Sequence, residues 1–172
     1  MIKSHMKRRG NPLLYIFALM FISGIIVGAF FARISPYTFT FQRATLSKTA
    51  VFKNSFITFL KPCFIIWLSG FSKKSVYLTS AVLTYRGGLL GFIVSLIYRQ
   101  YGFVKGLLPV LSASLPQNLL YFPFLLFLCM ASAGHKKVGD RRVYFVMLLL
   151  SVAISAFSAF ADTFITSLFI RF

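Results

Sequence analysis

Arg86 and Asp162 stand inside long apolar runs of this 172-residue chain, where an ionisable side chain is costly and therefore purposeful. Arg86 lies in Tyr85-Arg86-Gly87-Gly88, near the middle of its run. A charge at such a depth costs about 2.5–3.5 kcal/mol on insertion scales, so it should face protein, water or an opposite charge. Asp162 is the acidic residue of the last run; the other acidic residue, Asp140, belongs to a basic segment. An unpaired carboxylate is equally out of place in hydrocarbon, and charge balance points Arg86 and Asp162 at each other. Depth argues the other way. Counted from Val143, Asp162 lies about 28 Å along a helix, and counted from Val76, Arg86 lies about 15 Å along its own. A break at Gly87–Gly88 would close that gap; otherwise Asp162 belongs at the outer interface, against Arg99 or Lys105.

The next polar groups are amides. Pro109, Pro116 and Pro123 recur at seven-residue spacing in the fourth run, with Gln117 and Asn118 beside the central one. Each proline removes an intrahelical hydrogen bond and invites a kink. The amides can satisfy the freed carbonyls or bond across helices for about 0.6–2 kcal/mol each. Structural glue is the plain reading of Pro116, Gln117 and Asn118, and the wall of a conducting or binding pathway is the sharper one. In the fifth run Ser151, Ser155 and Ala159 are spaced four apart and Asp162 follows, a seam of small residues ending in a carboxylate. Gly24 and Gly28, and again Gly87 and Gly91, have the GxxxG spacing that lets helix backbones approach, within the bundle or between two copies.

None of this is a catalytic set. Such chemistry needs a nucleophile–base pair, a carboxylate pair or metal ligands converging in one pocket. Cys63 and Cys129 lack redox or metal-ligand spacing and read as small buried hydrophobes. His5 and His135 stand alone in basic segments. No catalytic residue, cofactor site or metal site is expected.

The elements that must position these groups are membrane spans. Runs at Leu13–Ala32, Ser55–Phe71, Val76–Tyr98, Leu107–Ala133 and Val143–Ile170 approach or exceed the roughly 20 residues needed to cross a bilayer. Hydrophobic residues make up 58% of the chain, charged residues 12%, and mean hydropathy is +0.82. These values predict an all-α, polytopic integral membrane protein forming a single transmembrane domain. The net charge of +17 is spread over span ends and loops rather than gathered on one face, which excludes nucleic acid and favours anionic lipid headgroups as partners. Lys3, Lys7, Arg8 and Arg9, then Lys73 and Lys74, then Lys136, Lys137, Arg141 and Arg142 occupy alternate loops and cluster against span ends. The positive-inside rule makes that side cytoplasmic, so the N-terminus is expected inside and the C-terminus outside. The first run is too long for a cleaved signal peptide and reads as a signal anchor.

Two segments are irregular. Ile34–Ala50 is the outer loop of most size, and its Tyr37, Phe39 and Phe41 suit headgroup level or an outside partner. The second run is interrupted by Lys53, Asn54 and Lys61–Pro62, which suggests a tilted or broken helix.

Gly102-Phe103-Val104-Lys105-Gly106, followed by Leu115-Pro116-Gln117-Asn118-Leu119-Leu120 and Pro123, resembles the most characteristic stretch of the stage II sporulation protein M family. Tyr85 to Phe92, Asn54-Ser55-Phe56, Trp67-Leu68-Ser69-Gly70 and the closing Ser-Ala-Phe runs resemble it too, in the same order along nearly the whole chain. The chain departs from the pattern where Ala161 takes the place of a glutamate and Asp162 follows. The resemblance implies a non-catalytic scaffold in the bacterial cell membrane. In endospore formers it implies a place in engulfment, anchoring cell-wall hydrolases that resemble stage II sporulation proteins D and P, a lytic transglycosylase and an amidase acting on septal peptidoglycan. The alternative is a permease-like subunit of a transport system, since relatives of the family resemble proteins found beside transport ATPases.

Overall fold

The computed structural model describes residues 12–37, 47–138 and 141–169; within the helices, the side chains at 112–117, 119, 134–138, 141, 143 and 165–169 lie outside that description. With no water in hydrocarbon to take up backbone hydrogen bonds, an apolar chain satisfies them within helices. The five elements are α1 (Pro12–Ile34), α2 (Lys48–Ser69), α3 (Ser75–Tyr101), α4 (Phe103–Val138) and α5 (Arg141–Phe169), with no strand among the described residues. Four helices meet the length and hydropathy of a membrane crossing: α1, α2, α3 and the Tyr144–Phe164 part of α5. The described apolar stretch of α4, Leu120–Ala133, is shorter, although the helix itself runs 36 residues. The protein is a multi-pass helical membrane protein.

Local chemistry sets the boundaries. The α2 helix starts at Lys48 rather than near Ser55 because Ser47 caps it, its Oγ accepting from the Ala50 N–H at 3.3 Å. Neither Pro62 in α2 nor the prolines of α4 break their helices, so of the tilted or broken α2 expected from sequence the break is absent. Between α3 and α4 the turn is a single residue. Gly102 adopts φ 76° and ψ 170°, a conformation essentially restricted to glycine, and its N–H bonds to the Tyr98 carbonyl.

The α2, α3, α4 and α5 helices pack as a ring in which each touches the next and α5 closes on α2, while α1 lies outside, mainly against α3. The interior is filled by Phe59, Cys63 and Ile66 of α2, Leu83 of α3, Tyr121, Leu125 and Leu128 of α4 and Ala159 of α5. Paired contacts give the chain directions. Ser55 meets Asp162 and Cys63 meets Ser155, so α2 and α5 are antiparallel. Tyr121 meets Phe59 and Ser132 meets Ile66, so α2 and α4 are parallel.

The α1–α3 contact is a glycine crossing. A Cβ at Gly24 or Gly28 would run into the backbone of Thr84 or Gly88, and one at Gly87 or Gly91 into that of Phe21 or Ile25. The two GxxxG pairs therefore face each other within one chain. At the end of this contact Arg99 donates from Nη1 to the carbonyls of Ala32 (2.9 Å), Arg33 (3.3 Å) and Ser35 (2.8 Å), and from Nη2 to that of Tyr37 (2.7 Å). A cation is thus placed on the negative, carbonyl end of α1.

Candidate functional site

The polar layer of the ring is organised by a proline. Pro62 has no N–H, so the carbonyl four residues earlier, that of Thr58, lacks its helical partner. Arg86 supplies one: its Nη2 donates to the Thr58 carbonyl at 2.5 Å and to the Tyr121 hydroxyl at 3.1 Å. The Tyr121 hydroxyl donates in turn to the Phe59 carbonyl at 2.8 Å. The guanidinium carbon lies 5.5 Å from the centroid of the Phe59 ring and 5.1 Å from that of Tyr121, within cation–π range of both. One residue of α3 therefore ties the weak point of α2 to α4.

Asp162 belongs to a different contact. It is 8% exposed and accepts from the Ser55 hydroxyl at 2.5 Å. No hydrogen bond or ion pair joins it to Arg86, and the pairing expected from charge balance is corrected accordingly. The α3 and α5 helices lie on opposite sides of the ring, separated by α2 and α4. Depth does not keep the two apart, since Ser55 and Thr58 are less than one turn apart on α2. Arg99 is likewise not a partner of Asp162, being engaged on the end of α1.

The small-residue seam lies where α5 meets the ring interior. Ser151, Ser155, Ser158 and Ala159 are fully buried. Ser151 donates to the Met147 carbonyl and Ser155 approaches the Cys63 sulfur at 4.0 Å, while the Ser158 hydroxyl has no hydrogen-bond partner. Cys63 and Cys129 are free and buried. At the end of the bundle marked by the α2–α3 turn, Trp67 Nε1 donates to the Tyr144 carbonyl at 2.9 Å, the Tyr144 hydroxyl donates to the Trp67 carbonyl, and the two rings stack at 5.5 Å. Asn118 is half-buried, and the side chains of Pro116 and Gln117 lie outside the described residues. The amide anchor expected of Pro116, Gln117 and Asn118 falls mostly on side chains outside the described residues, and at Pro62 an arginine meets the need of a carbonyl that a proline leaves free.

Tyr121 and Tyr144 escaped the sequence reading, while Arg99 entered it only as a partner for Asp162 and Ser55 only within the stretch Asn54-Ser55-Phe56. A tyrosine amid an apolar run was the available signal for Tyr121, because a buried hydroxyl needs a partner. Nothing in the sequence pointed to the bond between Ser55 and Asp162 or to the clasp of Trp67 and Tyr144.

These features define a multi-pass helical membrane protein in which Arg86, Tyr121, Ser55 and Ser132 bond one helix to another; no group of three or more metal-ligating side chains occurs among the described residues. The chain matches the stage II sporulation protein M family over residues 17–167 and belongs to that family. It is thus a membrane protein of a sporulation family, one whose members are in general non-catalytic. Neither comparison with curated proteins nor comparison with solved structures gives a match.

Proposed function

We propose that this chain is a non-catalytic scaffold of the bacterial cell membrane, a single five-span domain with its N-terminus in the cytoplasm and its C-terminus outside. It anchors peptidoglycan hydrolases resembling stage II sporulation proteins D and P during engulfment. Family membership across residues 17–167 is the observation that carries this reading. The use of the buried polar groups supports it: Arg86 and Tyr121 are bonded to backbone carbonyls of α2, and Ser55 to Asp162, as expected of a rigid platform. A permease-like subunit would need such groups to line a path, and here they close helices together.

The deciding experiment is affinity purification of the tagged, full-length protein from detergent extracts at septation. Recovery of a lytic transglycosylase and an amidase is expected. Recovery of a transport ATPase without either hydrolase would overturn the scaffold.

A further inference from the structure

Two cations in the spanning part of the bundle meet no carboxylate among the described residues. Arg86 is bonded to the Thr58 carbonyl and the Tyr121 hydroxyl, neither of which bears a charge to balance its own, and its Nε is buried without a hydrogen-bond partner. Lys61 lies on the exposed face of α2 and makes no hydrogen bond or ion pair with any described residue. It is thirteen residues from the start of α2 and eight from its end, or about 20 and 12 Å along the axis. Even the shorter way out exceeds the reach of a lysine side chain, so simple snorkelling does not account for it.

Both cations border one seam. Arg86 crosses from α3 to Thr58, which is exposed on α2, and Lys61 follows Thr58 by less than one turn. Phe59, Cys63 and Ile66 turn the other face of α2 into the ring, which leaves Thr58 and Lys61 toward the surroundings. On α3, Tyr85 is 65% exposed beside Arg86. A surface meant only for lipid has no cause to carry this charge, since a cation at mid-membrane is costly to keep there without a partner.

We propose that the α2–α3 seam at Lys61 and Arg86 is a lateral docking site for a membrane-spanning helix of a second protein, one that carries an Asp or Glu at the same depth. Charge complementarity selects a carboxylate. Depth selects a helix over a phospholipid, because a lipid phosphate stays at headgroup level, whereas position in a spanning sequence delivers a carboxylate to any depth. The inference rests on the scaffold reading for what the docked protein does, and on the two cations alone for its chemistry.

The test uses the full-length protein in phosphatidylcholine vesicles and labelled spanning peptides of about twenty Leu and Ala residues. One peptide bears a central Asp and the controls bear Leu or Lys there, with binding read by energy transfer. The Asp peptide should bind about tenfold tighter than the Leu peptide, and the Lys peptide no better than the Leu peptide. Lys61→Glu, at an exposed position, should reverse the order of the Asp and Lys peptides, and Arg86→Gln should weaken the preference for Asp. Unreactive Cys63 and Cys129 thiols in each variant certify the fold. Equal binding of the three peptides, or an Asp preference that survives Lys61→Glu, overturns the site. So does displacement of the Asp peptide by added phosphatidylglycerol, which would make the seam a lipid site. No hydrolase is present in the vesicles, so failure here leaves the recovery of hydrolases from cells untouched, and the reverse holds equally.

Discussion

Gly28 and Gly88 face each other across the α1–α3 crossing, yet alanine at the two positions should have opposite consequences. A Cβ on Gly28 would strike the Gly88 carbonyl, with the carbonyl carbon 2.7 Å and the Cα 2.8 Å away. An ordinary contact begins near 3.4 Å and the carbonyl oxygen is closer still, so the helices would have to part by well over about 0.7 Å, against backbone that cannot turn aside. Overpacking of this kind costs about 1–3 kcal/mol, and the rigid partners put Gly28→Ala toward the upper end. A Cβ on Gly88 meets only the Gly24 carbonyl oxygen at 3.6 Å, which is an ordinary contact. Gly88→Ala therefore keeps the crossing and removes a backbone-entropy cost of about 0.5–1 kcal/mol. The assay is built into the chain: Cys63 and Cys129 are 0% exposed, so a thiol-reactive fluorophore lights up only as the bundle opens. At about 2–4 °C per kcal/mol for a chain of this length, Gly28→Ala should lower the thermal midpoint by about 4–10 °C. Gly88→Ala should leave it unchanged or raise it slightly. Equal losses at both positions would refute the crossing geometry.

Arg86→Leu should destabilise less in a Pro62→Ala background, because an alanine N–H restores the helical partner of the Thr58 carbonyl; additive losses would remove that role. By contrast, Arg86→Leu and Asp162→Leu should add in the same assay, whereas Ser55→Ala and Asp162→Leu should show coupling of about 0.5–1.5 kcal/mol. Tyr121→Phe strips the Phe59 carbonyl of its donor and Arg86 of an acceptor, and should cost about 1–3 kcal/mol by thiol-reactivity melting. Arg99→Ala should raise hydrogen exchange in the last turn of α1, with Arg99→Lys recovering only part, since an ammonium cannot fork across several carbonyls. Reporter fusions after Lys74 and Lys137 should report cytoplasm and those near Lys48 and at Phe172 the outside, and a cytoplasmic C-terminus would refute five crossings.

Hydrophobic run length by itself determined that the chain is helical and crosses a membrane, because the thickness of hydrocarbon prescribes the number of apolar residues and lipid leaves helices as the way to satisfy the backbone. The GxxxG pairs were legible as sites of close approach, since only a missing Cβ permits it, but that they meet each other as α1 on α3 is a fact of packing. Helix ends were less legible: Ser47 extends α2 outward by a hydrogen bond that hydropathy does not register. The partner of Arg86 was decided by the fold alone. Charge count pointed to Asp162, yet α2 and α4 stand between the two helices, and the carbonyl that Pro62 strands on the adjacent helix is within reach of the guanidinium. Sequence records which polar groups must find a partner in lipid, and only the arrangement of helices around the ring determines which partner each one finds.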